Sequence, residues 1–149
     1  MSATGLDVFE RTLQITHIWL DEIIEELHTD RQSAWRVLSA VLRALRDRLP
    51  LGLSAHLAAE LPLMVRGAYF DQWRPGEGNL KLRTLPEFLG RVTDGLSGGK
   101  PIGSIDAART VFAVLNRHLD KGQIDKVRQA LPADVRNIWP RHDMAREVM

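Results

Sequence analysis

The sequence predicts an all-α fold of about eight helices, built as two pseudo-symmetric four-helix repeats. Three observations carry that prediction. Residues 34–69 reappear, three residues shorter, as residues 107–139; apolar side chains recur at three-to-four spacing; and no segment shows the strict alternation of a half-buried strand. In the repeat, Ala34, Arg36, Ala40, Val41, Leu42 and Asp47 match Ala107, Arg109, Ala113, Val114, Leu115 and Asp120 at an offset of 73. Leu61, Pro62, Val65 and Arg66 then match Leu131, Pro132, Val135 and Arg136 at an offset of 70. Ten identities in one register with a single gap read as an internal duplication.

Each element has a local reason. Over 8–27, Phe9, Leu13, Ile15, Trp19, Leu20, Ile23, Ile24 and Leu27 form a broad apolar stripe, with Glu22, Glu25 and Glu26 turned elsewhere. A second helix runs over 33–49, with Ala34, Val37, Leu38, Val41, Leu42 and Leu45 on its apolar side, and Pro50 and Gly52 end it. Ser54 is expected to cap a short helix reaching Glu60, and Pro62 suits the first turn of a fourth helix running to about Phe70. Residues 74–83 mix turn formers and charges and read as a connector. Thr84 and Glu87 have capping-box spacing, with Pro86 tolerated in the first turn. Behind them Phe88, Leu89, Val92 and Leu96 echo Trp19, Leu20, Ile23 and Leu27 at an offset of 69, which extends the duplication to the first helix. After a loop at 97–103 come helices over 104–119 and 123–130, and one opened by Pro132 and ended near Pro140.

The expected organisation is a single helical domain spanning 1–149. Repeat one covers about 8–73, repeat two about 84–140, and a tail 141–149. Each half alone, at about seventy residues, is of a size whose core rarely supplies more than about 3–5 kcal/mol, so the halves should pack face to face as one cooperative unit. Hydrophobic residues at 44% and charged residues at 26% are globular values, away from the composition of disordered chains. Cysteine is absent, which excludes disulfides, thiolate metal sites and thiol nucleophiles. No signal-peptide pattern or membrane-length apolar run is present, so a cytoplasmic protein with no membrane association is expected. A net charge of +1 argues against nucleic acid as a partner. The halves differ mildly, residues 1–74 carrying 8 basic and 10 acidic side chains (−2) and residues 75–149 carrying 12 and 9 (+3).

The paired pattern of Ala-x-x-x-x-x-Ala-Val-Leu, a Gly-containing turn, and Leu-Pro-x-x-Val-Arg ending in an aromatic occurs in both halves. The first half adds Leu-Pro-Leu-Met-Val-Arg-Gly-Ala-Tyr at 61–69 and Trp-Arg-Pro at 73–75. With these motifs, the chain from about Thr12 to Trp139 resembles an uncharacterised bacterial family, the domain of unknown function numbered twenty-two sixty-seven. The resemblance implies a compact all-helical domain and supplies no catalytic residues. One departure is the apolar run Leu49-Pro50-Leu51-Gly52-Leu53, against Lys121-Gly122-Gln123 in the second half, which sets the equivalence of the two turns in question.

Reaction chemistry is scarce, and no catalytic residue, metal or cofactor is assigned. Residues 94–101 brush against a phosphate-binding loop but fail at Asp94, at Pro101 and in lacking a preceding strand, so Lys100 is read as solvated. Glu25 and His28 have a Glu-x-x-His spacing, yet the second half offers Asp94 and Ser97 there and no di-metal ligand set forms. His17 and Asp21 read as a surface pair, and His56, His118 and His142 share no ligand spacing. No nucleophile-elbow or ordered serine, histidine and carboxylate set is visible.

Two features stand out. Arg36, Arg66, Arg109 and Arg136 are retained in both copies, either as braces for helix ends or as an anion-binding set between the repeats. Trp19, Trp35, Trp73 and Trp139 all read first as core or seam packing, and Trp73, with Tyr69 and Phe70 nearby, is also a candidate partner surface. The function expected is a non-enzymatic helical interaction module that binds a partner protein or itself. The alternative is a small-anion-binding protein or enzyme using the repeated arginines.

Overall fold

The computed structural model describes residues 7–75 and 82–141. The connector residues 76–81 and the tail residues 142–149, including His142, lie outside the described residues. Eight α-helices follow in order: α1 (Asp7–Leu27), α2 (Arg31–Arg48), α3 (Leu51–Ala59), α4 (Leu63–Phe70), α5 (Leu85–Leu96), α6 (Ser104–His118), α7 (Lys121–Ala130) and α8 (Ala133–Ile138). Among the described residues there is no strand.

Helix starts follow capping chemistry. Asp30 accepts from the Ser33 amide at 2.7 Å, so α2 begins at Arg31, two residues before the periodic pattern. At α5 the predicted capping box is present: the Glu87 amide donates to Thr84 Oγ1 at 3.3 Å, and the Thr84 amide donates to Glu87 Oε1 at 3.1 Å. Pro50, Pro62 and Pro132 stand at the N-caps of α3, α4 and α8, where a missing N–H is harmless.

Two expectations are corrected. Ser54 is not a cap; α3 starts at Leu51, and the buried Ser54 hydroxyl donates to the Arg46 carbonyl at 2.8 Å. The supposed turn residues Leu51-Gly52-Leu53 and Lys121-Gly122-Gln123 are both helical, forming the first turns of α3 and α7.

The helices exchange partners across the chain. Helix α2 packs along α5, α1 packs along α6, α2 crosses α6, and α3 meets α7. The buried side chains form one contiguous cluster that draws on all eight helices, from Trp19 to Trp139. Helix α2 lies at its centre: Val37, Val41, Leu42, Ala44 and Leu45 are fully buried. The α2–α5 crossing is so close that a Cβ on Gly95 would stand 2.7 Å from Ala40 Cβ, which only glycine avoids.

The N-terminal half of α1 departs from its predicted burial. Trp19, Leu20 and Ile23 are buried as expected, whereas Phe9, Leu13 and Ile15 are exposed. Helix α1 has 21 residues, and its buried ones are Thr12, Thr16, Trp19, Leu20 and Ile23. The nine residues before Thr16 form an exposed overhang in which only Thr12 is buried, its Oγ1 accepting from the Met64 amide of α4 at 3.0 Å.

Candidate functional site

Three of the four repeated arginines, Arg36, Arg66 and Arg136, are held by backbone carbonyls. Arg66 Nε donates to the Ala58 carbonyl at 2.9 Å, and its Nη2 donates to the carbonyls of Ala59 and Leu61. Arg136 Nε donates to the Arg128 carbonyl at 2.9 Å, and its Nη2 to those of Gln129 and Leu131. These carbonyls close the C-terminal ends of α3 and α7, whose last carbonyls have no intrahelical partner. Arg36 Nη1 donates to the Ser97 carbonyl at the C-cap of α5, linking α2 to the opposite half. Gly98, at φ +86°, and Gly99 make room for it, since a Cβ on Gly99 would lie 2.8 Å from Arg36 Nε. Arg109 is exposed and borders a cavity of about 200 Å³ with Glu26, Thr110 and Arg117. Arg66 borders a different cavity, beside α1.

Of the expected aromatic surface, only part is accessible. Tyr69 is 0% exposed, and its hydroxyl donates to the Ser54 carbonyl at 3.0 Å; burial pushes that hydroxyl up to about 12. It belongs to the interior, not to a partner surface, because the α3–α4 corner closes over it. Trp73 is half-buried, with its ring 5.1 Å from that of Phe70.

Several polar joints escape any reading of single helices. Arg46, 4% exposed, donates through Nε and Nη2 to both Asp47 carboxylate oxygens and through Nη1 to the Tyr69 and Asp71 carbonyls. Arg91 on α5 reaches the same Asp47 at 3.1 Å. On the other side Glu22 on α1 accepts from Arg117 Nε at 2.8 Å and lies 2.7 Å from His118 Nε2. Burial raises the Glu22 carboxyl, but the hydrogen bonds from His118 and Arg117 outweigh it, and the net value lies below the ordinary 4.5. The His118 ring also stacks on Trp19 at 5.3 Å. Lys100, expected to be solvated, pairs with Asp30. Among the described residues no group of three or more His, Asp or Glu side chains is placed to hold a metal ion, and no helix is long and apolar enough to cross a membrane.

A family model described as an uncharacterized conserved protein, DUF2267, matches residues 16–138. The chain belongs to the DUF2267 family. No curated protein matches it. The match begins at Thr16, so the first nine residues of α1 lie outside the DUF2267 match.

The apolar stripe of α1 is buried at Trp19, Leu20 and Ile23 and exposed at Val8, Phe9, Leu13, Ile15 and Ile18, and Leu63 and Met64 on α4 are exposed as well. On one shoulder, Val8 (57% exposed) and Ile15 line a groove of about 320 Å³ with Leu63 (50%), and the exposed Ile18 (51%) stands one turn beyond Ile15 on the same helix. On the other shoulder, Leu13 faces Met64 across a groove of about 420 Å³ that continues to Leu20 and Trp35. Sequence periodicity placed the stripe correctly but not its exposure, because nothing in α1 alone records which of its turns meet other helices.

Proposed function

We propose that this DUF2267 chain is a non-enzymatic interaction module, a duplicated four-helix unit whose halves form one domain and which docks a second copy of itself. The observation that carries the reading is the uncovered shoulder of Val8, Ile15, Ile18 and Leu63. Contiguous exposed apolar surface of this kind marks interaction sites in soluble proteins.

The shoulder has the features of a self-complementary contact. An apolar ridge runs directly beside an apolar groove floored by Leu61 and Pro62, and both signs of charge, Asp7 and Arg11, line the same groove. In a twofold contact each residue of one copy meets its counterpart's neighbour reciprocally, so the ridge of each copy enters the groove of the other.

Sedimentation velocity over a concentration series tests this. The reading expects a reversible dimer that Ile18→Asp and Val8→Asp convert to monomer with unchanged far-UV circular dichroism. A chain that stays monomeric at its highest soluble concentration, or a dimer indifferent to both substitutions, contradicts it.

A further inference from the structure

The opposite shoulder of α1 holds a different kind of site. Leu13, Leu20, Trp35 and Met64, from α1, α2 and α4, line the cavity of about 420 Å³. Its size and largely apolar wall fall within the range of small-molecule pockets. A few polar groups interrupt the wall: Thr16 from α1, and at the mouth His17, Arg31 and Gln32.

Two of these polar groups are unspent. Thr16 is 2% exposed, and its hydroxyl is buried with no hydrogen-bond partner among the described residues, a costly state for a hydroxyl. Arg31 is exposed and forms no ion pair with a carboxylate among the described residues. Two acidic groups are near in sequence. Asp30 is engaged by Lys100 and by the Ser33 amide, which together hold its carboxyl down at about 2. Asp21 lies one turn beyond His17 on α1 and is not part of the cavity wall.

From this arrangement we infer that the cavity between α1, α2 and α4 binds a small amphipathic carboxylate. The alkyl portion lies against Leu13, Leu20, Trp35 and Met64, and the carboxylate meets Arg31 at the mouth. At the mouth the Arg31 guanidinium stands with the Gln32 amide and the His17 ring, and its fork can meet a planar carboxylate through two parallel hydrogen bonds. Part of the wall, Leu13, comes from the α1 overhang, and the second half has no equivalent because α5 begins at the position matching Thr16.

Nuclear magnetic resonance titration of the whole chain with octanoate, octanol and acetate tests the inference. Octanoate is expected to move the Trp35 indole N–H and Met64 methyl signals saturably, octanol to bind more weakly, and acetate to leave both signals in place. Arg31→Gln, at an exposed position, should weaken octanoate about tenfold and leave octanol unchanged. Leu13→Trp should fill the groove and abolish both responses. The inference does not depend on self-docking: Ile18→Asp, which removes the proposed dimer contact, should leave the octanoate titration as it was. Equal binding of octanoate and octanol overturns it, and so does an acetate response equal to that of octanoate or a set of shifts that avoids Trp35 and Met64.

Discussion

Arg66 and Arg136 close two different helix ends with the same three hydrogen bonds, each acceptor shifted by 70 residues: Ala58, Ala59 and Leu61 for one, Arg128, Gln129 and Leu131 for the other. The side chains at two of those positions differ between halves, so the arginine reads backbone geometry, not side-chain identity. A guanidinium fork fits this task because it presents several donors in one fixed plane.

Replacing either arginine therefore strands carbonyls at a helix end. Arg66→Ala and Arg136→Ala should each cost about 2 kcal/mol in urea unfolding, in line with hydrogen bonds from a charged donor. Lysine should recover only a minor part, since one ammonium cannot span three carbonyls. Full recovery by lysine would show that charge, not the fork, matters.

The glycines separate packing from backbone cost. Gly95→Ala forces a Cβ to within 2.7 Å of Ala40 Cβ and should destabilise by about 1–3 kcal/mol. Gly90, on the same helix, has nothing within 4 Å of a built Cβ, so Gly90→Ala should be neutral or stabilise by up to about 1 kcal/mol. Thermal melts of the two variants side by side check the contrast.

The patterns within each element were legible in the sequence: eight helices among the described residues, the capping box at Thr84 and Glu87, and, for Arg36, Arg66 and Arg136 but not Arg109, the brace that was one of two roles left open. What the sequence withheld depends on pairs far apart in the chain. Glu22 meets Arg117 across 95 residues, and neither residue's local pattern names the other. His118 read as isolated because its partners Trp19 and Glu22 sit on a helix from the other half. Arg46 falls on an otherwise apolar stretch of α2, and its burial makes sense only once the C-terminus of α4 is seen to end against it. Tyr69 looked like a surface aromatic beside the connector, and the α3–α4 corner buries it.

Acid should loosen the α1–α6 joint. The Glu22 carboxyl lies below its ordinary 4.5 in the folded chain, so its contribution is complete above about pH 4.5 and disappears as the pH falls through the folded value. Glu22→Gln should cost about 1 kcal/mol at neutral pH and flatten this acid limb in a series of melts. An unchanged limb would place the acid sensitivity elsewhere.

Alkali should act through Tyr69. Its hydroxyl is raised from 10 to about 12 by burial, so the folded state favours the neutral phenol; stability is full below pH 10 and is lost as the pH climbs toward 12. Tyr69→Phe removes the bond to the Ser54 carbonyl at a cost of about 1 kcal/mol and should blunt the alkaline loss between those values.

Helices α1 and α6, and α2 and α5, pack across the connector, and the buried side chains of both halves belong to one cluster. Scanning calorimetry of the whole chain is the most direct measurement. The account predicts one transition whose calorimetric and van't Hoff enthalpies agree, moved as a single peak by Arg66→Ala in one half and by Arg136→Ala in the other. Two transitions, each shifted by only one of the substitutions, would contradict it.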